Sequence, residues 1–215
     1  MELDSASRIE IALIRVGDQL AFAGERFAIV IVGGAALNLL GIVERATSDV
    51  DILAFATGAS EQLERTLLEP PESLPSALLR ASRAVARDTG LDPDWLNTGP
   101  ALQWRQGLPP GLASRTRWFH YGPPDVPEMG LDVGIASRFD LIFFKLYAAV
   151  DHANTRSVHY HDLLALAPTD DELIAAADWV RPQNASPEFH VILDDVVAHV
   201  RRQLRQDREK RPHDR

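Results

Sequence analysis

Apolar residues recur along this chain with two different periods, and the switches between them lay out its elements. Ile9, Leu13, Val16 and Leu20 fall on one helical face, so residues 5–23 read as an amphipathic helix. The unbroken run FAIVIV (27–32) reads as a buried strand. After Gly33-Gly34, residues 35–40 read as a helix and residues 50–55 as a second strand. Residues 60–68 carry a helical pattern that Pro70-Pro71 would stop. Residues 76–87 predict another helix, with Leu78, Leu79 and Val85 inward and arginines outward. The Gly- and Pro-rich stretch 88–111 contains Asp94-Trp95-Leu96-Asn97, where the tryptophan is expected to plug a core edge. Two strands, 117–121 and 129–135, flank the loop GPPDVPE. From Phe139 onward only the helical period remains: 139–150, 160–166, 170–180 with a Thr169/Glu172 capping box, and 188–205. The pattern predicts an α/β fold, a small mixed sheet with helices packed on it, followed by a helical C-terminal lobe. Residues 1–138 and 139–215 are the two parts, expected to form one compact unit with a ligand cleft between them.

One segment places chemistry on this frame. In FAIVIVGGAALNLLGIVERATSDVDIL (27–53) an apolar strand meets two glycines, a short helix follows, and Asp49 and Asp51 lead into the next strand. Glycines let the backbone turn sharply and approach a phosphate closely. A helix starting at that turn would favour an anion. Residues i and i+2 of a strand share a face, which sets Asp49 and Asp51 roughly 7 Å apart along the chain. Two carboxylates so arranged can hold Mg²⁺ ions that bridge triphosphate oxygens. A Gly-Gly turn alone is often a tight connection, and an Asp-x-Asp alone is often a solvated strand edge. Joined at this spacing, with Arg45 and Thr47 between them, they point to phosphate chemistry.

Gly33-Gly34, the helix after them and the Arg45-x-Thr47-x-Asp49-x-Asp51 string resemble the nucleotidyltransferase fold shared with DNA polymerase beta. The match is closest to its minimal bacterial branch, the AbiEii-like and MenT-like toxin group and their uncharacterised relatives. That resemblance implies transfer of a nucleoside monophosphate from a nucleoside triphosphate to a hydroxyl of RNA or protein, with two Mg²⁺ ions and roles for specific residues: Asp49 and Asp51 as metal ligands, and Asp132 as general base or third ligand. Gly33, Gly34, Arg45 and Thr47 would hold the nucleotide. Lys145, which opens a Lys-x-x-Ala helix in Lys145-Leu146-Tyr147-Ala148, would contact the triphosphate. Asp162 resembles the second acid of a Lys-Asp-x-x-Asp-Leu element, although Val158 and His159 stand where that element begins. Ala35 departs from the Ser or Thr of the AbiEii-like group. These departures keep open a second implication, a catalytically inactive binding or regulatory partner, with an antitoxin protein as a possible companion in either case. A helical adaptor whose glycine turn is incidental is the third alternative. His152, His159, His161 and Asp162 could form a metal cluster, but surface or structural histidines are the default.

Composition narrows the classes. The chain has 215 residues, 46% hydrophobic and 25% charged, an ordinary globular balance. No apolar run is long enough to cross a membrane. The acidic start MELDSASRIE has no cationic n-region, so a secretory signal is not expected. Absence of cysteine excludes disulfides and thiolate metal sites and fits a cytoplasmic location. A net charge of −9 disfavours a broad grip on nucleic acid, and no DNA-specific binding is expected. The terminal stretch 201–215 runs against that balance, with seven Lys/Arg against three Asp/Glu. A solvated helix end explains it better than an RNA contact does.

Overall fold

A computed structural model describes residues 6–57, 67–104, 106–154 and 156–210. The chain divides into two compact units, one of residues 1–104 and 110–137, the other of 105–109 and 138–215.

The first unit is α/β. Helix α1 (Ala6–Phe22) buries Ile9, Leu13, Val16 and Leu20, the face its sequence period marked out. Gly17 sits on the same side, and a Cβ built there would overlap the carbonyl of Tyr121, so glycine lets the helix lie directly on a strand. Strand β1 (Arg26–Val32) runs into α2 (Gly33–Leu39), which starts at the first glycine itself. Strand β2 (Val50–Thr57) follows. The helical pattern at 60–68 falls largely outside the described residues, and Leu67–Glu69 form a strand, β3, on the edge of β2. Helix α3 (Ser76–Thr89) ends at Gly90, which takes the left-handed φ of 72° that glycine allows. Strand β4 (Leu96–Asn97) lies in the stretch read as a loop. The single turn α4 (Leu112–Arg115) leads to β5 (Arg117–Tyr121) and β6 (Gly130–Ile135).

The six strands make one mixed sheet in the order β3-β2-β1-β6-β5, with β4 beside β2. β1 is parallel to β6 and antiparallel to β2, and β4 is parallel to β2. The centre is dry: Ile29, Val30, Ile31, Ile52, Leu53, Leu131 and Val133 are fully buried. Trp95 is equally buried, and its indole N–H donates to the Ser82 carbonyl at 3.1 Å, which anchors β4 to α3.

The second unit is helical: α5 (Arg138–Asp151), α6 (Val158–Ala165), α7 (Asp170–Val180) and α8 (Pro187–Lys210). Apolar α5 is the hub against which the other three pack. Trp179 of α7 meets Phe143 and Phe144 edge-on at 5.8 and 5.6 Å between centroids, a favourable aromatic geometry. The Thr169/Glu172 capping box forms as its sequence indicates. Glu172 also receives both Nη groups of Arg138, at 2.7 and 3.0 Å. That fork holds its carboxyl below the usual value of 4.5, and the capping bond from the Thr169 backbone N–H adds to it.

Candidate functional site

The acidic pair of the first unit is organised around the Gly33–Gly34 turn. β1 ends there, and the register pairs Val32 with Asp51 across the antiparallel ladder. A bulge in β2 sets that register. Val30 faces Ala54 but Ile31 faces Ile52, so Leu53 is an extra residue. The offset turns Asp51 to the same face as Ala54, three positions away, where strict alternation would send it to the other side.

Gly33 has φ 74°, and a Cβ built on it would overlap Asp51 Oδ2. The carboxylate of Asp51 therefore lies directly on the backbone of the turn, in space that any other residue would fill. Its Oδ1 accepts a hydrogen bond of 3.3 Å from the side-chain amide of Asn97, which is Asp51's register partner on β4. The Asn97 amide is fixed in that orientation because its Oδ1 accepts from the Gly99 backbone N–H at 2.8 Å.

Gly34 plays the same part for the loop before β2. A Cβ there would stand 2.9 Å from Thr47 Oγ1 and 3.1 Å from an Arg45 guanidinium nitrogen. The Thr47 hydroxyl lies 3.3 Å from both the backbone oxygen and Oδ1 of Asp49, and donates towards them. Asn38 ties loop to turn. Its amide donates to the carbonyls of Gly34 and Arg45 at 3.1 and 3.0 Å, and its Oδ1 accepts from the Arg45 backbone N–H at 3.4 Å. Gly33, Gly34, Arg45, Thr47, Asp49 and Asp51 are thus brought to one turn. Asp49 and Asp51 are half-buried. An all-oxygen pair of carboxylates suits a hard cation such as Mg²⁺.

Asp132 is not brought to the pair. In the parallel register it faces Ala28, four residues before Val32, which is about 13 Å along the strand. Its Oδ2 accepts from Arg26 Nε at 2.9 Å, and its Oδ1 lies 2.8 Å from His120 Nδ1. This arrangement laces β1, β6 and β5 together. Lys145 and Asp162 meet each other inside the second unit. The Lys145 ammonium donates to Asp162 Oδ2 at 2.7 Å, with both side chains buried. Ala35 is fully buried.

His152 and His161 each donate from Nδ1 to a carbonyl one turn back, Ala148 and Ser157. No group of three or more His, Asp or Glu residues able to hold a metal occurs among the described residues.

Sequence reasoning missed Asn38 and Asn97. Asn38 left a signal, a poor helix former between apolar neighbours in a short helix, where a buried amide needs partners. Asn97 left none, because its role depends on a two-residue strand pairing across 46 residues. Compared with protein-family models, curated proteins and solved structures, the chain matches none.

Proposed function

We propose that the Gly33–Asp51 segment binds a nucleoside triphosphate with Mg²⁺ and transfers its nucleoside monophosphate to a hydroxyl acceptor. The observation that carries this reading is the convergence on one glycine turn of Asp51 directly and of Asp49 through Thr47. The resemblance of the motif to nucleotidyltransferases supports it. Asp49 and Asp51 would hold the metal. When bound, Mg²⁺ stabilises charge on the transferring phosphate and on the leaving oxygen. Gly33 and Gly34 let the acid pair and Arg45 close on the turn, where the backbone would meet the phosphates and the Arg45 guanidinium beside Gly34 would neutralise them. In the transfer, the acceptor oxygen bonds to the α-phosphorus, the bond to the bridging oxygen breaks, pyrophosphate leaves and the hydroxyl proton passes to a base. Asp132 is paired with Arg26 and His120, and Lys145 and Asp162 with each other, so none of the three is given a part in this step.

A second reading, a nucleotide-fold protein that binds without transfer, is favoured by the burial of Lys145 against Asp162 and by the missing hydroxyl at Ala35. Incubating the chain with labelled triphosphates, Mg²⁺ and total cell RNA and protein separates the two. The first reading expects label in an acceptor, abolished in Asp49→Asn and Asp51→Asn, since an amide is a far poorer ligand for a hard cation than a carboxylate. Nucleotide binding without any label transfer supports the second.

A further inference from the structure

A groove of about 440 Å³ runs between the C-terminal end of α1 and the length of α3, within the first unit. Its floor is made of alanine methyls, Ala77, Ala81 and Ala84, spaced i, i+4 and i+7 on α3. Beside them run Arg80, Arg83 and Arg87 at i, i+3 and i+7, all exposed. On the α1 side stands Phe22, with 94% of its surface in solvent. None of the lining residues is acidic. Arg83 approaches Asp94 only at 4.0 Å, a spacing at which an exposed pair contributes little.

Three features define what fits here. A floor of small residues lets a second backbone come close, as at helix–helix contacts. The eleven residues from Ala77 to Arg87 give the groove a length of about 15 Å, close to three turns of a docked helix. Three cations on a chain of net charge −9 make a local field of opposite sign to the rest of the surface. A polyanion would gain from the arginines but be repelled by the remaining charge. Nucleic-acid interfaces are also more polar and more strongly cationic than this alanine-floored groove. A peptide with apolar residues on one side and a few carboxylates beside them matches both stripes.

We propose that the α1/α3 groove docks an acidic amphipathic helix of a protein partner, with its apolar face on the alanines and Phe22 and its carboxylates on Arg80, Arg83 and Arg87. The site is independent of the acidic pair at Gly33–Gly34 and stands whether or not that pair binds nucleotide.

The test uses the full chain and three fluorescein-labelled probes read by anisotropy. One is a helical peptide of about 18 residues with leucines at helical spacing and flanking glutamates. The second has lysine for every glutamate. The third is an oligouridylate of about 12 nucleotides. The glutamate peptide is expected to bind and the other two are not. Binding should fall at least about ten-fold in Arg80→Glu/Arg87→Glu, equivalent to about 1.4 kcal/mol. It should also weaken in Phe22→Ala, a side chain too exposed to be needed for folding, and rise as salt is lowered. No binding of the glutamate peptide overturns the proposal, as does binding unchanged in both variants. Oligouridylate binding through the same arginines in place of the peptide would make the groove a nucleic-acid site. Self-association lost in Arg80→Glu/Arg87→Glu would assign it to a second copy of the chain. Either result also overturns the proposal.

Discussion

Asp51 and Asp162 both interrupt apolar runs, and the two units use them in opposite ways. Asp51 is half-buried and rests on the backbone of Gly33, with Asn97 donating to its other oxygen. Asp162 is 2% exposed and faces the ammonium of Lys145, itself 4% exposed. The first arrangement is built around missing side chains: two absent Cβ atoms make the space that a carboxylate and a hydroxyl fill. The second joins the long side chain of a lysine on α5 to a short aspartate on α6, both buried. A carboxylate on the accessible rim of a turn can meet a ligand. One sealed against a lysine has its charge compensated and serves the packing of its own unit. The lesson is that an acid in a hydrophobic run says little until its partner is known.

The comparison can be broken most forcefully in the second unit. Removing one member of the Lys145–Asp162 pair, as in Lys145→Met, leaves an uncompensated buried charge and should cost about 3–5 kcal/mol in urea unfolding. Lys145→Met/Asp162→Leu should recover most of that loss, since an apolar pair avoids the desolvation of both ions. No recovery would show that either residue holds more than its partner. At the turn, Gly33→Ala should cost about 1–2 kcal/mol from its left-handed φ, plus the displacement of Asp51. Gly24→Ala is the matched control, since Gly24 has φ 70° but nothing within 4 Å of an added Cβ. Equal losses in the two variants would deny the contact with Asp51. The smallest effect belongs to Glu172, the partly exposed acid of the second unit. Its carboxyl is lowered by Arg138, so its contribution is fully present above the ordinary value of 4.5 and is lost as pH falls through the lowered one. The melting difference between the parent chain and Glu172→Gln should therefore shrink as pH falls below 4.5. A constant difference would remove the ion pair from the account.

Much of the fold was legible because its signals are local. The α1 stripe of Ile9, Leu13, Val16 and Leu20, the β1 run and the Thr169/Glu172 box each lie within one element, and each formed as its pattern indicates. The turn at Gly33–Gly34 was legible for the same reason: glycines, arginine, threonine and both aspartates lie within 19 residues of one another. What stayed hidden depends on register or distance. The Leu53 bulge decides which face Asp51 takes, and alternation along the strand carries no mark of it. Asp132 reads as one more acid in a strand, yet the β1/β6 register sets it beside Arg26 and His120. Lys145 reads in sequence as a triphosphate contact, and its buried pair with Asp162 depends on the packing of α5 on α6.

The central claim is that the acidic pair at the glycine turn receives a metal–triphosphate complex. Calorimetric titration of the full chain with each of the four nucleoside triphosphates, with and without Mg²⁺, tests it most directly. At least one should bind in a Mg²⁺-dependent manner, and Asp51→Asn should abolish that binding while the melting temperature is retained. Binding of no triphosphate, or Mg²⁺-dependent binding that survives Asp51→Asn at full strength, would contradict the account.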